Sequence, residues 1–368
     1  MLKNYFPELT GVRAIAAIMV FIHHYNPFGD NILGGVLRGF AKELHTGVTF
    51  FFVLSGFLIA YRYSELKNFN FKKYFLYRAA RVYPMYFILT TLTLIVSLPK
   101  SFNISINELI IYILNISFLR GFFEEFKFSL VAQGWSLTVE ETFYILAPLL
   151  FFALIKIRYF IYLLPILLVS FGYLLVGCFQ NLNWHGFFSN DEFMLIYTFF
   201  GRSTEFIVGI GLALLVKSDV KLPKGTTYIG FFFTLLFIYL LYLLQNNGVY
   251  PSGILTPFGK IVNTFLLPLL GISLFYYGLI TEKSKFSAIL GSKLFVLLGK
   301  SSYIFYLIHL GVIHSFVNTY VSKNYFISFV SLQLISIVLF LLIEEPLNNF
   351  LRTKINSFSS KVIDGSKA

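Results

Sequence analysis

Arg13 and His24 stand eleven residues apart in the first apolar run of the chain, about 1100° of helical rotation, or three turns plus roughly 20°, so they share one helix face. The rise between them is about 16 Å, which places Arg13 near the cytoplasmic boundary and His24 in the outer half of a spanning helix. A histidine with one wet side can take a hydroxyl proton near neutral pH, because its unperturbed pKa is about 6.5. An interfacial imidazole satisfied by a backbone carbonyl fits the same spacing. His23 points about 100° away and is the weaker candidate.

Arg78 and Arg81, at i and i+3 of a helix entering from the cytoplasm, face one way. Planar, multiply donating cations there suit the phosphates of a nucleotide-bearing donor; they also suit a positive-inside anchor that attracts anionic lipid heads. Further on, Trp135 fits an aromatic belt, and Glu140 and Glu141 lie about one turn inside the next helix. A charge at the bilayer centre costs about 2.5 to 3.5 kcal/mol, so this carboxylate pair must hold a proton, meet a cation or serve chemistry. Its depth matches that of His24, which allows a carboxylate to orient or charge the imidazole. Arg202 and Glu205 are spaced for mutual pairing. Ser302, Tyr306 and His309 fall on neighbouring turns that could line a polar cavity, or bond across helices. Ser55-Gly56 reads as close helix packing, and Glu344-Glu345 as structural.

The elements that hold these residues are apolar runs of membrane-crossing length, about 17 to 25 residues. We read spans near 9–28, 46–63, 83–98, 136–155, 160–178, 194–216, 226–245, 261–280, 301–321 and 325–344. The stretch 109–119 is about half a membrane long and is expected to be re-entrant or interfacial. The fold class is therefore all-α: a polytopic membrane helix bundle of about ten transmembrane helices plus one short helix. Residues 1–350 form one transmembrane domain and 351–368 a short cytoplasmic tail.

Composition agrees, with 57% hydrophobic residues, 46 Phe, 24 Tyr and only 12% charged among 368 residues. The formal charge of +12 lies in short clusters between apolar runs, so nucleic-acid binding is excluded. With 109–119 not spanning, the richer cationic loops, including Lys67, Lys72, Lys73, Lys217, Lys293, Arg352 and Lys367, share one side with both termini. The opposite loops hold only scattered cations such as Arg38, Lys100 and Arg120. Positive-inside thus sets both termini in the cytoplasm. A single cysteine, Cys178, excludes an intramolecular disulfide, and no Cys/His spacing predicts a metal. A transporter or flippase for lipid-linked sugars or an anionic solute is the rival reading, since intramembrane Arg, Glu and His also mark translocation paths.

Several segments together resemble the acyltransferase-3 family of membrane O-acyltransferases: Leu9-Thr-Gly-Val-Arg with His24, Gly47-Val-Thr-Phe-Phe-Phe-Val-Leu-Ser-Gly-Phe, Arg78-Ala-Ala-Arg-Val-Tyr-Pro, Trp135-Ser-Leu-Thr-Val-Glu-Glu, Gly201-Arg-Ser-Thr-Glu, Leu298-Gly-Lys-Ser-Ser-Tyr with His309, and Glu345-Pro. The resemblance implies O-acetylation of an extracytoplasmic carbohydrate or glycolipid, such as lipopolysaccharide O-antigen, capsule or exopolysaccharide, with acetyl-coenzyme A as donor, in a bacterial inner membrane. It makes His24 the base, or alternatively a transient acyl carrier, with Glu140 and Glu141 in support. Arg13, Arg78, Arg81 and Tyr83 become the donor-facing set. Trp135, Ser136, Arg202, Glu205, Tyr306 and His309 become the acceptor-facing set. Thr10 stands where many members carry an acid, and no appended extracytoplasmic hydrolase-like domain is expected. Membrane lipid is a partner, and a homodimer is compatible with the sequence without a motif that argues for it.

Overall fold

The computed structural model describes residues 5–29, 32–66, 69–98, 104–182, 184–246 and 249–365. Lys67, Lys100 and Lys367 of the charge tally lie outside them. Regular structure among the described residues is helical, apart from two isolated bridges, Phe123 with Phe187 and Asn246 with Tyr250.

In chain order the helices are α1 (Pro7–His24), α2 (Ile32–Lys42), α3 (Gly47–Tyr63), α4 (Phe71–Ser97), α5 (Ile106–Ile116), α6 (Trp135–Lys156), α7 (Leu164–Phe179), α8 (Asp191–Tyr197) and α9 (Phe199–Lys217). There follow α10 (Thr226–Leu243), α11 (Pro257–Ile261), α12 (Ser273–Thr281), α13 (Lys285–Leu290), α14 (Lys293–Ile308), α15 (Val312–Tyr320), α16 (Tyr325–Leu339) and α17 (Glu345–Gly365). A π-helical stretch, Val262–Ile272, joins α11 to α12 around Pro268, whose missing N–H favours such widened turns.

Seven described helical stretches are long and apolar enough to cross a membrane, or up to eight if a bent pair counts as one. Of the ten expected spans, α1 and α7 fall short by length and composition. Glu8, Arg13, His23 and His24 dilute the hydropathy of α1, and α7 has only 16 residues. The expected second span is the end of a longer helical stretch, Leu33–Tyr63, entered through α2 and a 3₁₀ turn. The expected ninth span is broken: α14 and α15 meet at 90°, and Gly311 at the break adopts φ +85°, a conformation that favours glycine. As expected for 109–119, α5 is a short apolar helix of 11 residues. The segment after Arg352 continues α17 as far as Gly365.

The bundle core is built on α1, α3, α9 and α14, which pack pairwise as α1 on α14, α3 on α9 and α1 on α3. Contact between α3 and α9 is backbone on backbone: a Cβ at Gly56 would sit 2.2 Å from the Phe206 carbonyl oxygen, and one at Gly209 2.2 Å from that of Val53. Small residues thus replace side-chain interdigitation, and Gly56 packs as its motif predicted. Large apolar side chains on the outer faces of α4, α7, α10 and α16 are exposed, as a lipid-facing surface requires. Arg120, counted from sequence as an outside cation, is instead fully buried. Its guanidinium donates to Asn115 Oδ1 at 2.7 Å and to the carbonyls of Ser129 and Val131, pinning the loop that leads into α6.

Candidate active site

Between α1, α3, α4, α6 and α14 lies a cavity of about 790 Å³, part of it open to solvent. Its lining on α3 runs from Val48 to Ile59, so it follows that helix for about 16 Å. Arg13, Arg78 and Arg81 contribute to its wall, converging from α1 and from the shared face of α4. Ser136 and Tyr306 also line it, the one at the start of α6 and the other near the end of α14.

Carboxylates accompany the cations but do not saturate them. Glu140, also in the wall, accepts hydrogen bonds from Ser55 Oγ and from the Tyr144 hydroxyl. Arg78 Cζ lies 5.7 Å from the centre of the Tyr144 ring, and its buried Nε has no hydrogen-bond partner among the described residues. The charges that act on Arg13 are Arg81, Glu344 and Glu140. Glu141 is buried, with one carboxylate oxygen lacking a hydrogen-bond partner among the described residues, and feels Glu140 and Arg78. Of the adjacent pair, Glu140 lines the cationic cavity. Among the described residues no hydrogen bond joins either carboxylate to His24.

His24 sits in a row of imidazoles at the other end of α1. Its ring lies 4.7 Å from that of His23 and 5.3 Å from that of His309, while His23 reaches His45 at 5.5 Å. The His24 side is exposed, whereas His309 is fully buried where α14 breaks. His309 Nδ1 sits 2.7 Å from the Tyr306 carbonyl, which accepts from it and so receives one of the bonds the helix can no longer supply. That bond leaves Nε2 as the acceptor nitrogen, and it has no partner among the described residues. Across the row, His23 Nδ1 donates to the Lys42 carbonyl at 2.6 Å, and His45 Nε2 lies 3.2 Å from buried Glu43.

Other expected site residues fall elsewhere. Tyr83 turns outward, stacked on Phe87 at 5.7 Å and edge-on to Phe118, because two residues beyond Arg81 is about 200° around the helix. Trp135 packs against Tyr197 at 5.1 Å, beside a box in which Lys127 Nζ lies 5.2 to 5.5 Å from the rings of Phe128, Phe193 and Tyr197. Arg202 and Glu205 form a bidentate pair at 2.8 and 2.6 Å, with Arg202 also donating to Thr49 Oγ1 and the Ile196 carbonyl. Sequence reasoning overlooked Tyr144 and Tyr303 in the cavity wall and the Ser55–Glu140 bond. Tyr144 was findable, since it lies one turn from Glu140; the Ser55 link spans 85 positions and has no local signal.

Among the described residues no group of three or more His, Cys, Asp or Glu could hold a metal ion. The protein is thus a helical membrane bundle that holds a cationic, tyrosine-lined cavity and a histidine row. The acyltransferase domain of the acyltransferase-3 family matches residues 6–345, and the chain belongs to that family. It is similar to a Staphylococcus aureus (strain COL) protein provisionally named O-acetyltransferase SACOL0978, with 29% identity over 353 residues, 86% of this chain and 52% of the relative. O-acetyltransferase OatA of S. aureus (strain NCTC 8325 / PS 47) is 27% identical over 96% of this chain and 57% of its own length. A protein of Acidianus two-tailed virus, provisionally named acetyltransferase ORF330, is 30% identical over 68% of this chain and 70% of its own length. The chain thus spans about half the length of the staphylococcal relatives. No solved structure matches it at a significant level.

Proposed function

We propose that this membrane acyltransferase moves an acetyl group from cytoplasmic acetyl-coenzyme A to a hydroxyl of an extracytoplasmic carbohydrate or glycolipid. The observation that carries the reading is the cavity, whose wall bears Arg13, Arg78 and Arg81 and which runs along the bundle toward the histidine end. The arginines hold the donor diphosphate, and the pantetheine arm extends along α3 toward Ser136 and Tyr306. His24 takes the proton of the acceptor hydroxyl as its oxygen attacks the thioester carbonyl. The carbon–sulfur bond breaks, and the proton passes to the departing thiolate. The positive-inside distribution of the sequence favours both termini in the cytoplasm.

Family membership favours covalent transfer over the rival transport reading. Cells with and without the gene are compared by mass spectrometry of their surface glycans. The expected difference is an acetyl-sized increment, lost on mild base and labelled by isotopic acetyl-coenzyme A in membranes. Glycans of equal mass, with solute accumulation that depends on the gene, would replace this reading with transport.

A further inference from the structure

Arg352 lies on α17, outside the cavity lining, and α17 packs on α4, the helix that carries Arg78 and Arg81. Its guanidinium carbon sits 5.6 Å from the centre of the Tyr77 ring, and one turn further on Asn356 accepts a hydrogen bond from the Tyr77 hydroxyl. Tyr77 immediately precedes Arg78, so α17 grips α4 at the residue beside the first cavity arginine. The charged groups that act most on Arg352 are Arg81, Arg78 and Arg62, all of its own sign. Its Nε is buried and has no partner among the described residues. The nearby acids are engaged elsewhere: Glu345 lies 3.8 Å from Lys300, Glu344 acts on Arg13 and Arg81, and Glu140 lines the inner cavity, where it accepts from Ser55 and Tyr144.

Like charges gathered in a partly desolvated place are costly unless an anion joins them. Two of these arginines, Arg78 and Arg81, belong to the cavity wall, and Arg352 and Arg62 stand outside it. Coenzyme A divides its phosphates in the same manner, with the diphosphate next to the pantetheine arm and a separate 3′-phosphate on the ribose, away from the thioester. We propose that Arg352 binds the 3′-phosphate of the donor at the cavity mouth, making α17 part of the donor site. The inference rests on the acetyl-coenzyme A reading above.

The test compares kcat/KM for acetyl-coenzyme A and acetyl-3′-dephospho-coenzyme A in nanodiscs of neutral lipid, repeated with anionic lipid. The expected result is a wild-type preference for the phosphorylated donor on the order of ten- to a hundredfold, the range for loss of charge-assisted hydrogen bonds. Arg352→Ala should abolish that preference, and Arg352→Lys should keep part of it. A ratio unchanged in Arg352→Ala overturns the proposal, as does an effect that appears only with anionic lipid, which would make Arg352 a headgroup site. Because the readout is a ratio, a general loss of folding does not imitate it. Binding of adenosine 3′,5′-bisphosphate against 5′-AMP supplies the second arm: a preference lost in Arg352→Ala supports the site even where neither thioester is a substrate. In that case the acetyl-donor reading fails by itself, while equal binding of the two nucleotides to wild type overturns the Arg352 assignment.

Discussion

The Tyr306 hydroxyl lies 2.9 Å from Ser136 Oγ, and it donates to the Gln133 carbonyl at 3.3 Å, tying the end of α14 to the start of α6. This pair lines the cavity. His309 lies beyond it, its ring 5.6 Å from that of Tyr306 and 5.3 Å from that of His24. In the proposed reaction the thioester and His24 stand on opposite sides of this hydrogen-bonded pair, which would have to part for transfer.

Tyr306→Phe keeps the ring and deletes both bonds, each worth about 0.5 to 1.5 kcal/mol. With the closure loosened, donor hydrolysis without acceptor should rise by about fivefold, read as free thiol released from acetyl-coenzyme A. Unchanged background release would show that the pair is a fixed wall.

His24→Ala should lower transfer by about a hundred- to ten-thousandfold, the usual contribution of a general base, with little change in donor KM. Steady-state kinetics on the purified, folded protein read both quantities. Full activity would move the proton acceptor elsewhere, with the free Nε2 of His309 the next candidate.

Arg78→Ala with Arg81→Ala should raise the apparent KM for acetyl-coenzyme A by about tenfold or more, since both guanidinia line the cavity. Tyr83→Ala, on the lipid side of the same helix, should leave that KM alone. Equal effects from both faces would mean that the arginines act through topology.

The contrast between Arg81 and Tyr83 shows what could be read from the sequence. Helical periodicity alone put Arg13 with His24, and Arg78 with Arg81, because a face is a local property of spacing. Depth alone paired Glu140 with His24; the tertiary fold turns Glu140 to Ser55 and Tyr144 instead, across a distance that periodicity does not encode. Likewise, apolar residues flank positions 309–311 on both sides, so hydropathy ran a span across a break that only the backbone of Gly311 reveals. Docking of α17 on α4 left no local trace.

Arg202→Ala should destabilise the protein by about 3 to 5 kcal/mol, because it strands the buried Glu205 carboxylate, and paired apolar replacement of both residues should cost much less. Both side chains are almost wholly buried and satisfy each other, which assigns them to the α3–α9 core. Thermal unfolding in detergent distinguishes the variants; an equally large loss in the double variant would contradict it.

Glu124, in the loop between α5 and α6, carries a pH prediction. Partial burial pushes its carboxyl up, but hydrogen bonds from Ser189 at 2.5 Å and Asn190 at 2.8 Å, with Lys127 at 3.4 Å, outweigh it and hold the group below its ordinary value of 4.5. A depressed carboxylate stabilises the folded loop fully above its unfolded pKa, and that contribution is lost as pH falls through the folded one. The contacts that join this loop to residues 185–190 should therefore persist at neutral pH and weaken below about pH 4.5. Glu124→Gln should show the weaker contact at all pH values. Amide hydrogen exchange of residues 120–131, corrected for the intrinsic pH dependence of exchange, reads the effect; equal protection in wild type and variant at pH 7 would remove Glu124 from that role.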